Sequence, residues 1–296
     1  MQSTAEFDAF GPWIYEVRTQ AELPRLYRDA GIEVADQRLV LKVPRNIERR
    51  NATPDLHLYD VLIAVDDTTL TVLQRQEDRY STTRIRVDRL TAVEDSTDLL
   101  DGRLTLHNAD SAPVRVSYNA AEQLPVYELV RLLRELYLPA TDSDLTYSSG
   151  ITPDLGGTDR DLAKVCRNLT RAEPRMRVIG TTTRQKLDPP TGLVARAMNV
   201  IWPVTLHATI VLADDREVQV IHRRDWLSRG NSDVHSLART VLVRDRITDL
   251  QVAPHEKYRQ IEVVTVHSGE GQLELLARNG SGTELLSEAI RSRKRL

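Results

Sequence analysis

The sequence predicts an α+β fold, mainly β, made of two bent-sheet or barrel units that are each closed by a C-terminal amphipathic helix. Three observations predict it: an internal repeat, a change of hydrophobic period at the same place in each copy, and a polar linker between the copies. The stretch from Asp88 to Tyr137 aligns without a gap with Asp245 to Lys294 at a constant offset of 157. Asp88-Arg89-Leu90-Thr91 corresponds to Asp245-Arg246-Ile247-Thr248, Leu104 and Leu106 to Ile261 and Val263, and Val116 and Tyr118 to Leu273 and Leu275. Leu129, Leu132 and Leu133 fall on Leu286, Ala289 and Ile290. In the first copy, alternating runs (Leu104, Leu106; Val114, Val116, Tyr118) precede a segment of helical period (Val126, Leu129, Val130, Leu133, Leu136, Tyr137). Each copy therefore reads as a meander of strands ending in one helix.

Taken in chain order, Trp13, Ile14, Tyr15 and Val17 predict a short strand. Thr19 is placed to cap a helix over Gln20 to Asp29, and Leu39, Leu41 and Val43 alternate along a strand from Arg38. The run Pro44 to Arg50 carries Arg45, Arg49 and Arg50, either an anion site or a loop whose arginines pair with acids such as Asp55 and Asp60. Upstream of the gapless repeat, Val65 to Val72 resembles Ala213 to Val220 at an offset of 148, so the second copy carries a nine-residue insertion. Asp66-Asp67 and Asp214-Asp215 sit between alternating runs and predict hairpins, since Asp tolerates turn conformations and bonds its own backbone. The insertion falls within Trp226 to His235; loop length is cheap, and loops often carry function.

Residues 141–157, rich in Ser, Thr, Asp and Gly, read as a linker. Residues 1–140 then form an N-terminal extension plus the first unit, and residues 158–296 a linker helix plus the second. That helix is capped by Thr158 or Asp159 and ends before Pro174. Leu162, Val165, Cys166 and Leu169 share one face, and Arg160, Lys164, Arg167 and Arg171 another. Its basic face either meets an anionic membrane surface or a phosphate backbone, or is the solvated side of a helix packed by its apolar residues. The apolar positions are few and small, which favours the packed helix over membrane insertion.

Hydrophobic residues at 41% and charged residues at 28% describe a globular chain. Leu193 to Leu212 still carries Arg196, Pro203 and His207 and is a poor transmembrane candidate, and Met1 to Phe10 has no apolar secretory segment. One cysteine excludes an intramolecular disulfide and any multi-cysteine metal site. A cytoplasmic location is expected. Residues 1–150 hold 17 basic and 25 acidic side chains, residues 151–296 hold 23 and 18, so the halves have opposite sign. Such an asymmetry serves either an anionic partner or attraction between the halves or between copies.

Strand hairpins, a further meander and one C-terminal helix resemble the pleckstrin-homology-like (PH-like) fold, over roughly residues 58–138 and 205–295; two copies resemble tandem bacterial PH-like proteins. The resemblance implies a terminal helix that plugs a corner of the bent sheet, and a binding scaffold for lipid headgroups, peptides or proteins rather than an enzyme. Phosphoinositide-binding members have a basic first hairpin loop, whereas Asp66-Asp67 and Asp214-Asp215 would repel a phosphorylated headgroup. Protein or peptide binding gains by that departure.

Catalytic and cofactor motifs are absent. The seven histidines show neither HxH nor HExxH spacing, and neither a phosphate-binding GxxxxGK[ST], a GxGxxG nor a Gly-x-Ser-x-Gly is present. Cys166 lies on an apolar face, and the paired acids fit exposed turns better than a hydrolytic dyad. No enzyme activity, cofactor or structural metal is expected. The partner is expected to be a protein or a second copy, with Trp226, Arg229, Trp13, Tyr15, Arg45, Arg49 and Arg50 as candidate binding residues. The alternative is an anionic membrane or nucleic acid, met by Arg160, Lys164, Arg167, Arg171, Arg291, Arg293, Lys294 and Arg295. An enzyme with a dispersed site is third.

Overall fold

The computed structural model describes residues 4–138, 153–188, 202–230 and 234–291. Most of the sequence-predicted linker (141–152), part of the inserted loop (231–233) and the basic tail residues Arg293, Lys294 and Arg295 lie outside the described residues. The chain is mainly β, its sheets are antiparallel, and among the described residues none closes into a barrel.

Two compact units form: Met1–Leu90, Leu99–Leu106 and Val114–Leu138 make the first, and Thr91–Asp98, His107–Pro113 and Pro139–Leu296 the second. The segments 91–98 and 107–113 thus group with the second unit, although they precede the linker in sequence. That regrouping redistributes charge. The first unit holds 17 basic and 19 acidic residues and the second 23 and 24, nets of −2 and −1. The opposite signs of the two sequence halves are therefore not opposite signs of the folded units.

In the first unit, α1 (Ala5–Asp8) precedes an antiparallel sheet of β1 (Tyr15–Glu16), β2 (Leu39–Pro44), β3 (Tyr59–Val65), β4 (Thr69–Gln76) and β5 (Arg79–Arg86), in that spatial order. The helix expected over Gln20 to Asp29 is instead two 3-10 turns, Gln20–Glu22 and Arg25–Tyr27, and the Thr19 side chain makes no cap bond. Pro24 is the reason: it lacks an N–H and pushes the residue before it out of the helical region, and Leu23 is accordingly extended. One face of the sheet packs Val40, Leu62, Ala64 and Leu73 against Val17, Leu23, Leu26 and Tyr27. The Asp66 carboxylate accepts the N–H groups of Thr68 and Thr69 at 2.7 and 2.8 Å, which forms the expected hairpin.

β6 (Leu90–Asp98) contributes its residues 91–98 to the second unit. β7 (Asp101–Asn108) and β8 (Val114–Asn119) pair antiparallel, and α2 (Leu124–Tyr137) follows. Gly102 lies opposite Tyr118 in that pair, and a Cβ at Gly102 would come within 2.4 Å of the Tyr118 ring. Gly102→Ala is expected to cost about 1–3 kcal/mol through this overlap. A urea midpoint unchanged by the substitution would show that the ring moves aside freely.

In the second unit, α3 (Arg160–Ala172) is the first described element after the linker. The unit's larger sheet runs β9 (Arg177–Thr182), β12 (Thr209–Ala213), β13 (Glu217–His222), β15 (Leu237–Val243) and then β6. Between β9 and β12 lie β10 (Gln185–Lys186) and β11 (Val204–Leu206); with β14 (Leu227–Arg229), which the insertion supplies, they form a small sheet. A third sheet of β16 (Asp249–Pro254), β17 (Ile261–Ser268) and β18 (Gly271–Arg278) precedes α4 (Ser281–Arg291). Asp214 repeats the Asp66 hairpin, accepting from Arg216 and Glu217 N–H at 2.8 Å each. The order of elements follows the repeat, with β3 and β4 matching β12 and β13, β7 and β8 matching β17 and β18, and α2 matching α4. The gapless residue alignment does not hold: Leu104 pairs with Val116, whereas Ile261 pairs with Arg278 and Leu273 with Val266, because the β17–β18 hairpin loop is shorter than that of β7–β8.

Strand β12 is buried throughout because both faces are covered. Val211 and Ala213 face a core that includes Leu286, Ala289 and Ile290 of α4, whereas Ile210 and Leu212 face Leu162, Cys166 and Leu169 of α3. Alternate residues of a strand point to opposite faces, so a strand between two helices needs apolar residues at every position. Ala208-Thr209-Ile210-Val211-Leu212-Ala213 nearly meets that demand.

Candidate functional site

A cleft of about 420 Å³ lies between α2 and the β1–β2 side of the first unit's sheet, lined by Leu39, Leu41, Leu124, Leu132, Pro125 and the charged residues of its rim. Its geometry follows from two periodicities. Leu39 and Leu41 are two apart on β2 and share the face opposite Val40, while Leu124, Glu128, Arg131, Leu132 and Glu135 recur on one side of α2. The helix starts where Pro125 fits the first turn and stops at extended Leu138, the residue before Pro139. Leu41 is buried, whereas Leu124 remains 66% exposed at the mouth.

The rim is charged but internally neutralised. Arg131 donates to Glu128 at 2.7 and 2.9 Å and also bonds Glu135, one turn on. Arg38 donates to Asp67 at 2.8 Å, and Glu16 accepts from Arg18 at 3.1 Å. Such exposed pairs are worth about 0–1 kcal/mol each and exchange partners readily. The cleft therefore has an apolar floor and polar edges.

A second cluster, in the second unit, is buried. Residues Glu217, Gln219, Ile221 and Arg223 alternate along and just beyond β13 on the face that α3 covers. Arg223, 1% exposed, donates to Asp161 at 2.6 and 2.8 Å, to Asp159 at 2.8 Å and to the carbonyl of Ser236 at 2.8 Å. Burial opposes ionisation of Asp161, and the Arg223 guanidinium outweighs it, holding the carboxyl below its usual range. At the other end of α3, Glu173 accepts from Arg239 at 2.8 Å and from Gln219 at 3.0 Å. The acids at both ends of α3 (Asp159 and Asp161 at one, Glu173 at the other) thus hold the helix to the sheet.

His207 belongs to the first of these ends. It is 1% exposed and neither ring nitrogen has a hydrogen-bond partner. Burial, reinforced by Arg184, lowers its pKa to about 4, so it is neutral at pH 7. Nearby His222 accepts or donates to Thr240 at 3.0 Å, stacks on Trp226 at 4.1 Å, and is lowered to about 4 by burial. Cys166 is buried on the apolar face of α3, and burial pushes its thiol up to about 11, which suppresses the nucleophilic thiolate at neutral pH.

Of the sequence-predicted binding residues, Trp13, Tyr15, Arg45, Arg49 and Arg50 belong to the first unit and Trp226 and Arg229 to the second. Trp226 is half-buried, stacked on His222 and packed against its own unit's core. Arg229 is exposed at the end of β14, Trp13 is 45% exposed, and Tyr15 lies in β1. Arg45 donates to the His57 carbonyl and sits 3.8 Å from Asp60; Arg49 bonds the carbonyls of Phe7 and Phe10 and stacks over the Phe7 ring; Arg50 pairs with Glu48. Arg45 thus lies near one of the acids that the loop reading names, whereas Arg49 meets backbone carbonyls and Arg50 a glutamate within the run itself. Arg160, Lys164, Arg167 and Arg171 are all exposed on α3, and Arg291 ends α4.

Sequence reasoning missed the cleft and the Arg223 cluster. The available signals were Leu124 and Tyr127, large side chains outside the buried stripe of α2, and an arginine closing an otherwise buried strand. Among the described residues no group of three or more His, Cys, Asp or Glu is arranged to hold a metal ion, and no helix is long and apolar enough to cross a membrane. No protein-family model, no curated protein and no solved structure matches the chain.

Proposed function

We propose that the chain is a non-enzymatic binding or scaffold protein of two PH-like units, which takes a segment of another protein in the α2–β2 cleft. The cleft carries this reading: it joins an apolar floor, an exposed leucine at its mouth and a rim of weak, exchangeable ion pairs. A peptide with an apolar anchor would gain buried area there, at about 25 cal/mol per Å², while its backbone meets adaptable side chains. The order of elements supports the PH-like part. Four strands in an antiparallel meander (β2 to β5), three further strands (β6 to β8) and α2 recur as β9, β12, β13 and β15, then β16 to β18, then α4.

Selection of a random peptide library on the full chain tests it. Selected peptides are expected to share an apolar anchor and to bind Leu124→Arg at least 10-fold more weakly, because a cation at the mouth meets the anchor. Leu124 is exposed, so the substitution leaves the fold intact. Failure to select any peptide, or peptides indifferent to Leu124→Arg, would sink the cleft reading.

A further inference from the structure

The exposed face of α3 presents Arg160, Lys164, Arg167 and Arg171 at intervals of four, three and four residues. At 100° and 1.5 Å per residue, all four fall within an arc of about 60° along about 16 Å of helix. The row lies opposite Leu162, Cys166 and Leu169, which are committed to the core. Among the described residues no acid pairs with the row: Asp159 and Asp161 are paired with Arg223, and Glu173 is paired with Arg239.

Helix stability accounts for Arg171, a cation in the last turn, but not for the other three. Like charges three and four residues apart destabilise a helix, and a cation in the first turn opposes the dipole. The second unit as a whole is nearly neutral, so the row is a local feature rather than a consequence of a basic domain. The row has no aromatic or apolar member, and the helix has no free apolar face to sink into a lipid surface. What it matches is a line of anions. A strand of B-form duplex carries one phosphate per ~3.4 Å of axis, hence about five phosphates along the length of the row.

We infer that α3 is a nucleic-acid docking element that lies along a phosphodiester backbone and neutralises up to four phosphates without reading base sequence. The inference is independent of the cleft, which lies in the other unit. Lysine and arginine serve equally as phosphate point charges here, so charge matters and side-chain identity does not.

Fluorescence anisotropy of the full chain with a labelled 20-base-pair duplex, from 50 to 200 mM salt, tests it. The expected result is binding of similar strength to unrelated sequences, with log K falling against log salt at a slope of about −3 to −4. Replacing all four cations with Gln should abolish binding at 50 mM salt, while Arg167→Lys with Arg171→Lys should retain it. The Gln chain relieves repulsion within the helix and should melt no lower than the parent, so a loss of binding is separable from a loss of fold. Duplex binding that survives the Gln substitutions overturns the proposal. So does no binding at 50 mM salt, or capture of the chain by phosphatidylserine vesicles or polyglutamate but not by duplex.

Discussion

Replacing Arg223 with Met is expected to destabilise the second unit by about 3–5 kcal/mol. The guanidinium is nearly inaccessible and bridges Asp159, Asp161 and the Ser236 carbonyl. Removing one partner of a buried pair leaves the other charge desolvated and unmatched, and Asp159 is itself 1% exposed. It keeps only Arg184, at 3.4 Å. Arg223→Lys should also cost heavily, because a single ammonium cannot span the two carboxylates that the forked guanidinium meets. Urea denaturation followed by circular dichroism measures the loss. Combining Arg223→Met with Asp159→Asn should recover part of it, since the unmatched charge is then gone. Independent additive costs would show that the two residues are not coupled as their geometry implies.

The second large expectation is an acid-labile second unit. His207 and His222 are neutral when folded, with pKa values of about 4 against 6.5 for an unfolded histidine. Between pH 6.5 and 4 the unfolded chain takes up protons that the folded chain refuses, so stability is complete above about 6.5 and falls as the pH drops. A shift of this size corresponds to on the order of 3 kcal/mol per histidine, so the two together reach the lower end of the ~5–15 kcal/mol by which domains are stable. Arg184 and Arg223 add to the resistance of His207 to protonation, while Asp159 and Asp225 oppose it. Paired carboxylates such as Asp161, held below their usual range, lose their contribution only at lower pH. The histidine window is therefore separable. His207→Leu should flatten about half of the slope between pH 6.5 and 4 without lowering stability at pH 7, because its ring nitrogens make no hydrogen bonds to lose. A marked loss at pH 7 would mean that the ring is bonded after all.

The legible and illegible parts of this fold differ in range. Hairpins at Asp66 and Asp214 were readable because an Asx turn is made by residues two and three positions apart. α2, α3 and α4 were readable because their apolar residues recur within one helical turn. The helix expected over Gln20 to Asp29 failed at Pro24, where a local breaker already on the page outweighed the periodicity. The cation row on α3 was visible as well, but its meaning was not. Whether those four charges are solvated, paired or free depends on where the neighbouring acids go, and those go to Arg223 and Arg239, 62 and 66 residues away.

By itself the sequence determined the mainly β character, the Asp66 and Asp214 turns and the apolar stripes of α2, α3 and α4, since all of these are set by residues close together along the chain. The tertiary structure alone decided that α3 covers the polar face of β13, that Leu124 and Leu39 line one cleft, and that the segment 91–98 joins the second unit and cancels the charge contrast of the halves. Those outcomes rest on ion pairs and buried faces between distant segments. Local periodicity constrains which face of an element is apolar, and long-range packing selects what covers it.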